Sequence, residues 1–330
     1  MISSTSENAR QLWNCINKTL RRKASISLPA HDSTNSLYNS FYKHFNDKIT
    51  QIHASFPVSA SSCNIDFPVV HHPCSVFTPA LLTEVPKLIW SSPNKSCELD
   101  PIPTFLLKYC LHRLIVPLTK IINLSLSSWM FPSHFKHVNV ILLLKKSSLP
   151  VNDINSYRPI SNISFISKLV EKAISCRLNV YLNWNNLSNV FQSTYKQFHS
   201  AVTALLKVNN DIATNMDTGK VTALKPLDWS AAFDTIHYSV LLDRISNTAL
   251  TQIRAFLINR FQSIKIRKCF SKAVPLVCGV PQGSVLRLLL FTLYTTPLGS
   301  PIHSHKLDGV LHLCSTWTSV SMSSLISLPV

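Results

Sequence analysis

Apolar residues recur every three to four positions in several stretches of the chain, the spacing of an amphipathic helix. This pattern is strongest over residues 166–182 and is repeated over 200–216, after which Gly219 supplies a stop signal. For the stretch at 101–114, Asp100 is the expected cap and Pro101 lies in the first turn. The helices predicted in full are residues 9–20, 37–52, 101–114, 118–129, 166–182, 200–216, 240–245 and 284–294.

Strand patterns are fewer. A short apolar run predicts a buried strand at residues 138–144, and a second strand is expected at 221–228. Residues 261–267 and 273–278 have the pattern of a hairpin. The expected fold class is α+β, with the strands concentrated after residue 220.

The charge balance favours a polyanionic partner. The net charge is +17, from 32 Lys and Arg against 15 Asp and Glu. Nucleic acid and an anionic membrane surface both fit this excess, but its spread along the chain suits a groove more than a disordered arm. No apolar run approaches the roughly 18–20 residues of a membrane span, and no signal peptide begins the sequence. We therefore expect an intracellular protein, nuclear or cytoplasmic, without a membrane segment.

The cysteine and glycine content also bears on the kind of site and the kind of fold to expect. The nine cysteines include no Cys-x-x-Cys pair, so reduced thiols are favoured over a zinc site or a disulfide framework. Only five glycines occur in 330 residues. Either the fold uses few glycines at its turns or some have been lost.

Two segments carry candidate chemistry. Residues 227–234 read LDWSAAFD, which places Asp228 at a strand end; this is either a strand end with a helix cap or a metal ligand. Residues 279–286 read GVPQGSVL, with two glycines four positions apart at a strand-to-helix turn. Glycine lets a backbone approach a ligand closely, and a helix N-terminus favours an anion, although an ordinary turn is the simpler alternative.

Together these segments resemble motifs A and B of reverse transcriptases of non-LTR (LINE-type) retrotransposons. Further blocks similar to the fingers of these enzymes are SCELDPIP at 96–103, NSYRPISN at 155–162, and FQS at 191–193 with HS at 199–200. The similarity extends from about residue 10 to residue 300.

The resemblance implies a right-hand polymerase fold with fingers and an incomplete palm, and we expect the thumb to be absent. Residues 1–90 are expected to form a partly disordered linker with helices, 91–220 the fingers, 221–300 a partial palm, and 301–330 a divergent tail. RNA and DNA, as template and primer, are the implied partners, and Mg²⁺ is the implied cofactor. The oligomeric state stays open.

The resemblance also implies roles for individual residues. Asp228 is the implied catalytic and metal-binding carboxylate, and Phe233 the ring that rejects a ribose 2′-hydroxyl. Structural roles are implied for Asp234, Gly279 and Pro281. Contact with the nucleotide or template is implied for Arg158, Lys145, Lys196, Phe233, Gln282 and Gly283.

The sequence departs from the family at the second metal-binding element. A Tyr-Ala-Asp-Asp hairpin is expected near residues 312–320, but residues 312–318 read HLCSTWT, with Thr316 and Trp317 at the aspartate positions. Asp308 is the one acidic residue after motif B and has no acidic neighbour. We therefore expect Mg²⁺ binding to be impaired and polymerase activity to be lost.

Further departures indicate a decayed copy of such an element. Lys225 and Pro226 interrupt what should be a central apolar strand, Arg287 and Leu288 replace Gly-Pro, and Phe198 replaces Gly. The stretch 246–252 is several residues short. Two alternatives stay open: a non-catalytic basic module that binds RNA or DNA, and a translated pseudogene product that does not fold stably.

Overall fold

The protein is described by a computed structural model, which covers residues 28–55, 77–95, 97–185, 187, 198–228, 231–245, 247–298, 308–312 and 321–328. The side chains of 223–228, 247–249, 298, 308–312 and 321–328 are outside this description. Within the described part of the chain, no helix combines the length and apolar character needed to cross a membrane.

Helices and strands alternate along the chain. The helices are α1 (Thr34–Ala54), α2 (Glu84–Trp90), α3 (Thr104–Tyr109), α4 (Leu111–Ser128), α5 (Phe165–Trp184), α6 (Ala201–Asp217), α7 (Tyr238–Asp243), α8 (Asn247–Leu257) and α9 (Leu286–Thr295). The strands are β1 (His137–Leu144), β2 (Tyr157–Asn162), β3 (Val221–Asp228), β4 (Arg260–Ile266), β5 (Cys269–Phe270), β6 (Val274–Leu276), β7 (Asp308–His312) and β8 (Ser321–Leu328).

A mixed sheet of five strands lies at the centre of the fold, in the order β2-β1-β4-β5, with β6 also paired to β4. Strands β1 and β2 are antiparallel, with Ile141 opposite Ile160. Strands β1 and β4 are parallel, with Val140 opposite Ile264. Strand β1 is therefore paired along both of its edges and lies inside the sheet.

A second sheet has the order β3-β8-β7, and its strands are antiparallel. Pro226 lies inside β3 opposite Ser323, so the strand continues through the proline. Among the strands that the structure describes, β3 is at the edge of this sheet, so the expectation of a central strand interrupted at Lys225 and Pro226 is wrong. An edge strand tolerates proline since one side of its backbone makes no ladder hydrogen bonds.

Helix α5 lies in the interior of the fold. Its N-cap Ser164 accepts a hydrogen bond from the Ser167 amide at 3.2 Å, which satisfies one free donor of the first turn. Residues on its inner face are buried at helical spacing in the larger of two apolar clusters: Leu169, Val170, Ala173, Ile174 and Leu178.

Helix α1 covers one face of the five-stranded sheet. Its residues Leu37, Tyr38 and Phe41 form the smaller apolar cluster with residues of β1, β2 and β4. The Phe41 and Tyr157 rings meet edge to face, with 5.3 Å between their centroids. This aromatic contact fixes the N-terminal half of the helix on β2.

Most of the strongly patterned elements are confirmed. Helices occur at 165–184, 201–217, 238–243 and 286–295, the strand at 138–144 lies within β1, and the hairpin is formed by β4 and β6. Strand β2 and helix α8 were not predicted, and β1 and β2 both precede residue 220. The helix predicted at residues 9–20 is outside the described residues.

The start of the helical region near Asp100 differs from the prediction. Helix α3 begins at Thr104, and the Asp100 carboxylate instead accepts from the Phe165 amide at 2.5 Å and the Cys97 amide at 2.9 Å. Asp100 therefore caps a helix distant in sequence, a partner that local pattern cannot reveal. The helix break falls at Cys110, and α4 continues through Pro117.

Phe198 occupies a backbone conformation that favours glycine. Its φ is +64°, in the left-handed region, and its side chain is 90% exposed. A residue with a Cβ is destabilised there by about 1–2 kcal/mol. The exposed ring gains little from packing that could offset this strain.

Replacing Phe198 with Gly should raise the free energy of unfolding by about 0.5–1 kcal/mol, since relief of strain exceeds the added entropy of the unfolded chain. Urea unfolding followed by circular dichroism measures the change. Phe198→Ala is the matched control, because it removes the ring but keeps the Cβ, and it should give no comparable gain. If Ala and Gly stabilise the protein equally, the gain comes from removal of the exposed ring and not from relief of backbone strain.

Candidate nucleic-acid site

The turn at residues 279–283 packs against the segment that follows β3. The Val280 amide donates to the Phe233 carbonyl at 2.9 Å, and the Gly279 amide donates to the Ile236 carbonyl at 2.9 Å. Gly279 has φ +75°, and a Cβ there would lie 2.6 Å from the Asp234 carbonyl oxygen. Glycine is therefore required at 279, both for its conformation and for the close approach of the two backbones.

The side chains of Gln282 and Asp234 join the same two segments. The Gln282 Nε2 donates to Asp234 Oδ2 at 2.8 Å. Burial raises the pKa of Asp234 to about 6, although the Gln282 hydrogen bond and the nearby Arg287 and Lys48 oppose the shift. The Asp234 carboxylate therefore links two segments of the chain, and burial makes its ionised form less favourable.

The same turn also contacts β2. The Ser161 amide donates to the Gln282 carbonyl at 3.2 Å, and a Cβ on Gly283 would lie 2.2 Å from the Ser161 carbonyl oxygen. No side chain fits at such a distance, so glycine is required at 283. Through this contact the sheet strand and the turn form one continuous surface.

A buried carboxylate holds the helix that follows the turn. Glu171 of α5 is fully buried, and its Oε2 accepts from the Ser284 hydroxyl and the Val285 amide, each at 2.6 Å. The Leu286 amide lies 3.4 Å from the same oxygen. A carboxylate at a helix N-terminus satisfies free amide donors and interacts favourably with the helix dipole.

Two cations lie at the ends of β1 and β2. The Arg158 Nη2 donates to the Lys145 carbonyl at 2.9 Å, and the Lys145 Nζ donates to the Asn155 carbonyl at 2.7 Å. Burial, Lys48 and Arg158 together lower the pKa of Lys145. Positive charges are thus concentrated at this edge, where an anion would relieve their mutual repulsion.

The Phe233 ring is enclosed by two neighbours. It lies 5.0 Å from the Phe291 ring, and the Arg287 guanidinium carbon is 4.5 Å from its centre. Arg287 is the residue that replaces glycine in the resemblance. Its side chain therefore covers a ring that was expected to face the nucleotide sugar.

The structure brings the expected site residues into two groups. One is Lys145 with Arg158, and the other is the set Phe233, Asp234, Gly279, Pro281, Gln282 and Gly283. Asp228 is the last residue of β3, and its side chain is outside the described set. Lys196 and residues 313–320, which include Thr316 and Trp317, also lie outside the described residues.

Sequence reasoning missed Glu171 and Ser161. A signal for Glu171 existed, because it is an acidic residue within the apolar pattern of α5. A charged side chain at such a position is buried only if it forms an ion pair or hydrogen bonds. No comparable signal marked Ser161, which contributes its backbone alone.

Comparison with known proteins identifies the family of the chain. Residues 144–316 match the family described as Reverse transcriptase (RNA-dependent DNA polymerase), just over half of the chain. The chain belongs to this family. Its relatives among curated proteins are polymerases of non-LTR elements, and the chain is a reverse transcriptase domain of the LINE type.

Three relatives from Drosophila melanogaster give the extent of the similarity. The "Probable RNA-directed DNA polymerase from transposon BS" is 29% identical over 244 residues, covering 72% of this chain and 27% of the relative. The corresponding protein of transposon X-element is 28% identical, covering 69% and 25%. The RNA-directed DNA polymerase from mobile element jockey is 27% identical, covering 59% and 22%. The chain thus spans about a quarter of these relatives.

Reverse transcriptases generally use divalent metal ions, which require a set of oxygen ligands. Among the side chains that the structure describes, no three His, Cys, Asp or Glu residues are grouped to hold a metal ion. Asp234 is a poor ligand, because its carboxyl group is bonded to Gln282 and its pKa is raised. The described residues do not fit the metal.

The raised pKa of Asp234 makes the stability of the protein depend on pH. An ordinary aspartate titrates near pH 4, so the folded protein holds this proton more tightly than the unfolded chain. The stabilisation from protonated Asp234 is complete below about pH 4 and is lost as pH rises through about 6.

Relative to an Asp234→Asn variant, the wild type should therefore lose on the order of 1–2 kcal/mol between pH 4 and pH 7.5. Asn keeps the size of the side chain and an acceptor for Gln282 but cannot ionise. Urea unfolding of both proteins across this range gives the difference. A difference that is constant with pH, or that changes in favour of the wild type, would contradict the assignment.

Proposed function

We propose that this chain is the fingers and part of the palm of a LINE-type reverse transcriptase, and that it binds nucleic acid without polymerising DNA. In this proposal residues 91–220 are the fingers, 221–300 the partial palm, and 301–330 a divergent tail. The observation that carries it is the junction at Ser161, where the β2 strand meets Gln282 and Gly283.

Nucleic-acid binding is supported by charge and by the location of that charge. Lys145 directly follows β1, Arg158 lies in β2, the strand of the junction, and the net charge of the whole chain is +17. We assign these two cations, together with Lys196, to phosphates of the template or of the nucleotide. Cations suit that role because they neutralise charge without reading bases.

The glycine turn is assigned to the templating base pair. Gly279 and Gly283 permit close backbone contacts, and Gln282 is oriented by Asp234. We assign Gln282 and Gly283 to the floor beneath that pair, and Phe233 to the position beside the sugar. RNA and DNA are the partners of this assignment.

Loss of polymerase chemistry is supported by three observations. The sequence HLCSTWT has no carboxylate where the family has an aspartate pair. Phosphoryl transfer depends on metal ions that clamp the attacking and leaving oxygens, and Asp228 alone cannot hold two such ions. Arg287 also lies against Phe233, where the sugar would have to bind.

A decayed element copy explains why several defects occur together. The strain at Phe198 and the arginine at 287 affect separate parts of the fold. Phe198 is strained and exposed, and Arg287 covers the ring assigned to the sugar. We therefore assign both to loss of selection for polymerase activity.

The chain should bind single-stranded RNA and DNA without sequence preference and with strong salt dependence. The logarithm of the binding constant should fall linearly with the logarithm of salt concentration, with a slope of about 0.7 for each phosphate contacted. Arg158→Gln should weaken binding several-fold and reduce that slope. Fluorescence anisotropy with a labelled 20-nucleotide strand measures both quantities.

Arg113→Gln is the matched control, because Arg113 is exposed on α4 and has the same charge. It should change affinity less than twofold. Binding unaffected by salt, or equal losses from both variants, would contradict a localised phosphate site.

The purified chain should give no detectable template-dependent DNA synthesis with Mg²⁺ or Mn²⁺. Two-metal stabilisation supplies most of the rate of phosphoryl transfer, so its loss should abolish activity rather than lower it slightly. Thr316→Asp combined with Trp317→Asp should not restore synthesis, because Arg287 still covers Phe233.

Extension of a labelled DNA primer on an RNA template, with an active reverse transcriptase as positive control, measures this. Asp228→Ala identifies the source of any signal. Nucleotide incorporation by the wild-type chain that is lost in Asp228→Ala would contradict the proposed inactivity.

A further inference from the structure

The candidate site has two walls, strand β2 and the segment around Asp234, and helix α1 contacts both. Near its start, the Phe41 ring contacts Tyr157, the neighbour of Arg158 in β2. Near its end, the His53 Nε2 lies 2.9 Å from the carbonyl oxygen of Thr235, the neighbour of Asp234. Twelve residues of helix span about 18 Å, so the helix runs alongside the site from one wall to the other.

Lys48 lies midway between these two anchors, and its side chain is exposed. Its charge affects the pKa of one residue on each wall. It contributes, after burial, to a lowered pKa of Lys145, and it opposes the raised pKa of Asp234. After burial, Lys48 also lowers the pKa of His44, one turn earlier on the same helix. These couplings agree with the anchoring of the helix on both walls.

Seven residues, two helical turns, separate Lys48 from Phe41, so Lys48 lies on the face of α1 that meets β2. Its charge acts there on Lys145, which is bonded through its carbonyl to Arg158. We call Lys48, Lys145 and Arg158 the three-cation cluster.

The acidic neighbours of this cluster include Asp47 and Asp153. Asp153 accepts from the Asn155 amide at 2.9 Å, and Asp234 accepts from Gln282. The three cations outnumber Asp47 and Asp153, and they lie at a solvent-accessible edge that a phosphate can reach.

We propose that Lys48 of helix α1 binds a phosphate group in the candidate site, together with Lys145 and Arg158. The inference rests on the proposed nucleic-acid binding and extends it to a helix outside the matched family segment of residues 144–316. The phosphate belongs either to the backbone of a bound strand or to the triphosphate of a nucleotide. Both present the same oxygen acceptors to a lysine ammonium group.

A purely structural role for Lys48 is the competing explanation. In that case the ammonium group would serve to balance Asp234 or Asp47, and its removal would affect stability without affecting ligands. Lys43 offers a matched comparison, because it is exposed on the same helix. Five residues separate the two lysines, which places them on different faces.

The test compares the wild type, Lys48→Gln and Lys43→Gln in the full chain. Each variant removes one positive charge from an exposed position of α1. Circular dichroism and thermal unfolding first establish that all three proteins have the same fold. Anisotropy with a labelled 20-nucleotide RNA, and separately titration with dTTP and Mg²⁺, then measure affinity as a function of salt.

Lys48→Gln should lower affinity about 3- to 10-fold at low salt and reduce the salt slope for RNA by about 0.7, whereas Lys43→Gln should change affinity less than twofold. A loss in the RNA titration assigns Lys48 to the strand backbone, and a loss confined to dTTP assigns it to the triphosphate.

Equal affinities of the two variants for both probes, with the wild type binding, overturn the role of Lys48 and leave the proposed function intact. Absence of binding by the wild type to either probe overturns both. A loss of thermal stability in Lys48→Gln with unchanged affinity identifies the structural role and likewise overturns the proposal.

Discussion

The site depends on one buried carboxylate. Glu171 projects from α5 into the start of α9 and accepts from the Ser284 hydroxyl and the Val285 amide. A buried charge without such donors would cost several kcal/mol. Because the donors come from the residues that follow the glycine turn, the position of the turn is set by a helix more than one hundred residues earlier in the chain.

Arg260 is a second charged side chain in the same interior. This arginine is fully buried, its Nε donates to the Phe256 carbonyl at 2.6 Å, and its guanidinium lies over the rings of Phe131 and Phe256. Burial lowers the pKa of Arg260, and the nearby Glu171 carboxylate opposes that shift. Both charged side chains are thus held in the interior by contacts of their own, Glu171 by donors at the start of α9 and Arg260 by a carbonyl and two rings.

The sequence was most informative where a pattern is local. The apolar spacing of α5, the continuous apolar run of β1 and the hairpin at β4 and β6 are all present in the structure. The glycines at 279 and 283 were also identifiable, since such turns require them. Contacts between distant segments were not accessible in this way: Asp100 caps α5 instead of its own helix, and β2 becomes a strand only by pairing with β1.

The parallel pairing of β1 with β4 has a consequence for synthesis of the chain. His137 lies opposite Phe261, so β1 leaves the ribosome more than one hundred residues before its partner exists. Until then its open edge presents unpaired amides and carbonyls, and an apolar strand in that state is prone to pair with other chains. Nascent chains of this protein would therefore depend on chaperones for longer than those of a protein whose neighbouring strands are made consecutively.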